Sequence, residues 1–298
     1  MLYTHVLLYC QIPMIRVMYQ SLYWRYIPIL TPIRSSKNMS EQDIVLLNIK
    51  DNIATITLNK PDVHNAFDEH VIQHISNILD KLYNTDNLVA CVFKSTGKSF
   101  SAGADLGWMK RAADFTKDKN RQDALALAHM LKKLDELPVV TIACVQGAAM
   151  GGGLGLVSCC DIVIAQEKAL FALSEVKLGL IPATIAPYVL RAMGQRQARR
   201  YFQTGERFNS MKASQIGLIH EIANDEKHMN EILDQIIEQI QSNGPQSMRS
   251  AKQLCLDLEG KTVTDEVLND TAQRIADARA TDEAKQRLDN FLKRKTSR

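Results

Sequence analysis

From Val139 to Val145 the chain is an unbroken run of apolar and β-branched residues, and it empties into a loop of small ones, Gln146-Gly147-Ala148-Ala149-Met150-Gly151-Gly152-Gly153. A helical pattern through Leu156 follows, then a second strand-like run from Asp161 to Ala165. Strand, glycine loop, helix and strand in so short a span point to an α/β architecture. Small side chains at a strand end let a ligand approach the backbone, and the free N–H groups of a helix start favour developing negative charge. A glycine run can also serve only a tight turn or close helix packing. A dinucleotide loop is excluded by spacing: the sixth position is Leu156 counted from Gly151 and Ser158 counted from Gly153, and Asp161 opens its strand instead of ending it.

The same alternation runs along the chain. Ile44 to Ile49, a turn at Asp51-Asn52, and Ile53 to Leu58 predict a β-hairpin. Asn65 precedes apolar positions at Phe67, Val71, Ile75, Ile78, Leu79 and Leu82, the spacing of an amphipathic helix. A strand at Val89 to Phe93 and a helix over 121–137, stopped by Pro138, make a second unit. Past Pro182 only 218–222 reads as strand, while 228–242, 245–258 and 263–293 read as helices. With little core-forming capacity of its own, the C-terminal region is expected to pack on the body or on another subunit.

Charge and cysteine usage narrow the function classes. Residues 1–38 carry Arg16, Arg25, Arg34 and Lys37 with no acid, whereas 32 basic and 33 acidic residues follow from position 39 onward. A body so nearly neutral lacks the clustered basic charge of a nucleic-acid footprint. Without an 18-residue apolar stretch it offers no membrane span. Residues 1–38 also hold five of the eight tyrosines. Targeting segments are basic and acid-free too, but this one is poor in Ser and has no apolar core followed by a small-residue cleavage site. It is read as an atypical extension outside the working protein, with Met39 as the true start. The six cysteines form no C-x-x-C pair and read as reduced residues of a cytoplasmic protein. His70 and His74 lack a third ligand candidate, so no metal site is expected.

Three small-residue turns stand out: Phe100-Ser101-Ala102-Gly103-Ala104-Asp105, the Gly147 to Gly153 loop, and Ser174-Glu175 before Gly179-Leu180-Ile181-Pro182. With Leu58-Asn59-Lys60-Pro61, Asn65-Ala66, Cys160-Asp161 and Asn243-Gly244-Pro245, their order and spacing resemble the crotonase superfamily of enoyl-CoA hydratases and isomerases, from about Ile44 to the C-terminus. The resemblance implies an α/β spiral of repeated ββα units as a catalytic core (39–244), with a C-terminal helical oligomerisation region (245–298). It implies an acyl-CoA thioester substrate, with coenzyme A part of that substrate and no separate cofactor. It places an oxyanion hole on the N–H groups of Ala102 and Gly152, and an acid/base carboxylate on Glu175.

His64, Ala66, Ala104, Asp105, Gly151 and Gly155 fall at substrate-binding positions by the same resemblance. Asp105 serves either the loop or a coenzyme A contact, and holding the loop is the preferred role. The family commonly places a second glutamate where this chain has Gly155, so the ordinary two-carboxylate hydration is in doubt here. Apart from the family, Glu175 could be a cap or an ion pair to Lys177. Phe291 with Lys293 or Arg294 would reach coenzyme A on a neighbouring subunit of a homotrimer or homohexamer.

A closer resemblance is to bacterial 3-methylglutaconyl-CoA and isohexenylglutaconyl-CoA hydratases. It is carried by the run Gly153 to Asp161, by Gly103-Ala104-Asp105-Leu106 with Trp108-Met109, and by Leu180 to Val189. It implies hydration of 3-methylglutaconyl-CoA to 3-hydroxy-3-methylglutaryl-CoA in leucine or isoprenoid breakdown. Glycine at 155 would remove charge and bulk where a substrate carboxylate has to lie. The alternatives are a Δ3,Δ2-enoyl-CoA isomerase and, from another class, a non-catalytic RNA-binding protein of crotonase type.

Overall fold

The computed structural model describes residues 44–296, with side chains described as far as Lys293. These residues belong to the unit Ser40–Arg298. The extension expected at 1–38 lies outside the described residues, as does the side chain of Arg294.

The chain opens with a hairpin of β1 (Val45–Lys50) and β2 (Ile53–Leu58), antiparallel in a register that pairs Lys50 with Ile53. The two residues left for the turn, Asp51 and Asn52, have φ of 51° and 62°. That is the type I′ geometry whose twist matches a hairpin, and short polar side chains tolerate it. Then come α1 (Glu69–Tyr83), β3 (Ala90–Ser95), α2 (Leu106–Ala112), α3 (Lys117–Asp135) and β4 (Val140–Val145). The glycine loop continues into β5 (Ala148–Met150) and α4 (Gly152–Ser158), followed by β6 (Ile162–Gln166) and β7 (Leu170–Ala172). The remainder is α5 (Ala186–Met193), α6 (Gln195–Thr204), β8 (Phe208–Asn209), α7 (Ser210–Gln215), β9 (Glu221–Ala223), α8 (Glu226–Ser242), α9 (Pro245–Leu258), α10 (Asp265–Ala280) and α11 (Asp282–Thr296).

Six strands form the main sheet in the order β1-β2-β3-β4-β6-β9, parallel from β2 onward. Both faces are covered, which is why its central strands are apolar without alternation. Cys91, Phe93, Ala143, Val145, Val163 and Ala165 belong to the larger core with α1, α3 and α4. Their neighbours Val92, Ile142, Cys144 and Ile164 face Met229, Leu233 and Ile240 of α8. A second sheet, β5-β7-β8, takes the short strands that follow β4 and β6, with β8 antiparallel at its edge. Thus β4 leads to β5 and α4, and β6 leads to β7 and the turn after it. The expected α/β fold of strand–strand–helix units is present, with a C-terminal run of helices.

Three local expectations change. The helix after Asn65 starts at Glu69, because Asp68 accepts the Val71 N–H at 2.9 Å and is the cap. Asn65 is instead buried at φ 54° and ties Lys60, Thr96 and Ser99 together through its amide. The segment 263–293 is two helices that meet at Thr281, whose Oγ accepts the Ala284 N–H. Helix α2, absent from the sequence reading, forms behind Asp105.

Candidate active site

The three small-residue turns are stitched into one surface by backbone hydrogen bonds. Ser101 N–H donates to Ala148 and Met150 N–H donates to Ser101, so the first turn runs beside β5. Gly151 N–H donates to Ala172 at 3.0 Å, which ties the glycine loop to the end of β7. Glu175 begins a 3-10 turn, Glu175–Leu178, three residues beyond that anchor, and Gly179 closes the turn in the left-handed region. The glycines are needed for this convergence. A β-carbon on Gly103, at φ 89°, would stand 2.8 Å from the Met150 carbonyl oxygen, and one on Gly153 would stand 2.7 Å from Ser101 Cβ.

Glu175 therefore lies against the glycine loop, its Oε1 3.1 Å from the point where a Gly151 side chain would begin. Its Oε2 is buried without a hydrogen-bond partner, and no ion pair to Lys177 is present among the described residues. Burial pushes the carboxyl above its ordinary value of 4.5, opposed only by the residue's own N–H. A carboxyl placed this way, with its neutral form favoured by burial, can both take and return a proton.

The two expected oxyanion donors differ in state. Gly152 is the first residue of α4, and its N–H has no acceptor among the described residues. The Ala102 N–H, by contrast, donates to the His64 carbonyl at 2.9 Å. His64 and Asn65 both take left-handed φ values, which turns that carbonyl inward. Ala102 can therefore serve a substrate oxygen only by sharing or releasing His64, a condition the sequence could not show.

The Asp105 carboxylate accepts the Trp108 N–H at 2.9 Å and caps α2, while its own N–H donates to the Phe67 carbonyl. Ala104 is exposed and bridges to Phe67. Ala66 is buried beneath the same loop, and the His64 ring meets Ser99 Oγ at 3.1 Å. Phe291 and Lys293 stand on α11, Phe291 62% exposed and Lys293 paired with Asp289.

Gly155 corrects the expectation of open volume. A β-carbon there would overlap Ile185, lying 2.8 Å from its Cβ and closer still to Cγ2. Ile185, which is 2% exposed at the start of α5, fills the space that was assigned to a substrate carboxylate. Nothing in the sequence near Gly155 signals this, because the partner comes from a different unit of the fold.

No cluster of His, Cys, Asp and Glu among the described residues could hold a metal ion, and no described helix is long and apolar enough to cross a membrane. Residues 48–297 match the family model described as enoyl-CoA hydratase/isomerase. A crystal structure of an enoyl-CoA hydratase from Shewanella pealeana is 42% identical with a TM-score of 0.82, covering 85% of this chain and 94% of that one. Pseudomonas aeruginosa AtuE is 29% identical with a TM-score of 0.81, covering 84% and 97%. A trans-2-decenoyl-[acyl-carrier-protein] isomerase of Streptococcus mutans is 29% identical over 70% of this chain and 80% of its own length.

Proposed function

The chain belongs to the enoyl-CoA hydratase/isomerase family, and from that premise we propose that it hydrates a branched 2-enoyl-CoA thioester with Glu175 as its single acid/base group. Within that class, 3-methylglutaconyl-CoA, giving 3-hydroxy-3-methylglutaryl-CoA, is the proposed substrate. The observation that carries the proposal is the convergence of the half-buried Glu175 carboxylate, one oxygen of which has no partner, and the open Gly152 N–H on one glycine loop.

The thioester oxygen accepts the Gly152 N–H, with Ala102 as a second donor shared with His64. Glu175 takes a proton from water as the water oxygen bonds to the β-carbon. The π electrons move onto the thioester as an enolate, which the preorganised backbone donors stabilise as its charge grows. The glutamic acid then returns a proton to the α-carbon. One water is added and the carboxylate is restored.

The same single carboxylate supports a second reading, Δ3,Δ2-isomerisation, in which Glu175 moves a proton from the α- to the γ-carbon and no water is consumed. A panel of CoA thioesters incubated in H₂¹⁸O and read by mass separates the two. ¹⁸O uptake that is fastest with 3-methylglutaconyl-CoA is expected, whereas a shifted double bond without label would replace hydration with isomerisation.

Coenzyme A enters as part of the substrate, with no separate cofactor. Assembly as a homotrimer or homohexamer is proposed as well, with Phe291 and Lys293 reaching the coenzyme A of a neighbour. It is supported by the exposed Leu268, Ile275, Leu288, Phe291 and Leu292 on α10 and α11. A reducing, cytoplasmic compartment is supported by the five described cysteines, all free thiols, with burial pushing Cys91 up to about 12 and Cys144 up to about 11.

A further inference from the structure

Gly155 N–H donates to the Gly151 carbonyl at 2.9 Å, so the two glycines are one hydrogen-bonded turn apart at the start of α4, roughly 6 Å along its axis. A β-carbon on Gly151 would meet the Glu175 carboxylate, and one on Gly155 would meet the Ile185 side chain. Ile185 is thus the aliphatic neighbour of the proton-transferring group, one turn removed. It is buried and held in place as the first residue of an α5 turn, its carbonyl accepting the Val189 N–H at 3.1 Å.

We propose that Ile185 is a specificity-determining residue: by filling the volume beside Gly155, it keeps the wall next to Glu175 free of a second carboxylate and of the water such a group would hold. The pair is mutually exclusive on steric grounds. Any side chain at 155 begins inside the Ile185 contact distance, and even the Ile185 Cβ is too close at 2.8 Å. Only glycine at one position tolerates a larger residue at the other. The proposal deepens the hydratase reading and rests on Glu175 being its acid/base group.

The test is a double-mutant cycle on the full chain: Gly155→Glu, Ile185→Gly, and both together. Alone, Gly155→Glu is expected to lower Tm by roughly 5 °C or more through overpacking and to cut turnover at least tenfold. Adding Ile185→Gly should restore most of that Tm loss, so the two changes are strongly non-additive. The double variant should also show a second, coupled carboxylate ionisation in its pH–rate profile and accept unbranched 2-enoyl-CoA at least tenfold better than the wild type. Should Gly155→Glu aggregate, Gly155→Ala with and without Ile185→Gly gives the same Tm comparison.

Gly155→Glu as stable as the wild type, or additive effects on Tm, would overturn the proposal. So would a well-folded double variant whose pH profile keeps one carboxylate ionisation. If the wild type incorporates no ¹⁸O from any thioester, the hydratase reading fails. The Ile185 proposal is then judged on the Tm cycle and on the pH profile of deuterium exchange at the α-carbon.

Discussion

A carboxylate with one oxygen buried and unpartnered is held in a state that favours its protonated form, and this is the useful property of Glu175. Glu175→Gln keeps the volume and removes the proton carrier, so turnover is expected to fall ~10²- to 10⁴-fold, with thioester affinity retained. The sign of the stability effect follows from the raised pKa. The folded state binds this proton more tightly than the unfolded one, so above the folded pKa the charged form costs stability. Glu175→Gln should therefore melt no lower than the wild type at pH 7, with any gain vanishing below about pH 4.5. A thermal scan across pH checks it. At Gly152 a β-carbon would stand 3.3 Å from the Phe67 ring. Gly152→Val is expected to fold with a small loss of Tm and to lose activity. Normal steady-state kinetics in that variant would move the oxyanion site elsewhere. The glycine loop was legible as a local pattern, whereas Glu175 stood out only through the family resemblance, since an isolated acid after a strand reads equally well as a cap or an ion pair. Ile185 and the His64–Ala102 bond were not, because both join residues distant in the chain.

Elements were legible where the pattern is local and one-sided. The Asp51-Asn52 turn forces the first hairpin, and the apolar run to Val145 had to be a buried strand. Helix α2 escaped because it is a single short stretch with no fully buried residue, held by the Asp105 cap, by Trp108 against the core and by the Arg111–Glu69 ion pair. Helices α10 and α11 read as one because apolar residues recur on both sides of Thr281 with no proline or glycine between. Their attachment is polar. Glu283 accepts the N–H groups of Gln246 and Ser247 and the Ser247 hydroxyl, and Arg287 donates to the Ser242 and Asn243 carbonyls. Burial pushes the Glu283 carboxyl up, but the Ser247 hydroxyl and the two N–H groups outweigh it and hold the carboxyl below 4.5. With a depressed folded pKa, the contribution is present above pH 4.5 and lost as pH falls through the folded value. Glu283→Ala should speed hydrogen exchange in the first turn of α9 at pH 7, and the difference from the wild type should shrink under acid. Equal protection at pH 7 would mean that Glu283 does not hold this junction.

Across the described residues, two cores on opposite faces of the main sheet leave α9 and α10 with no buried residue. Exposed Leu268, Ile275, Leu288, Phe291 and Leu292 are more apolar surface than a free tail carries. Deleting 286–298 is expected to weaken both assembly and thioester affinity, with the core melting near its original temperature. Light scattering and a binding titration read the two effects, and a full-length protein that is monomeric at micromolar concentration yet fully active would contradict the assembly. The central claim is that Glu175 exchanges a proton with the α-carbon of a thioester whose oxygen is held by the glycine loop. Its most direct measurement is solvent deuterium wash-in at the α-carbon of a saturated acyl-CoA in D₂O, a reaction that needs neither a double bond nor added water. The account predicts enzyme-dependent exchange that falls at least ~10²-fold in Glu175→Gln; exchange at equal rates in the wild type and the variant would contradict it.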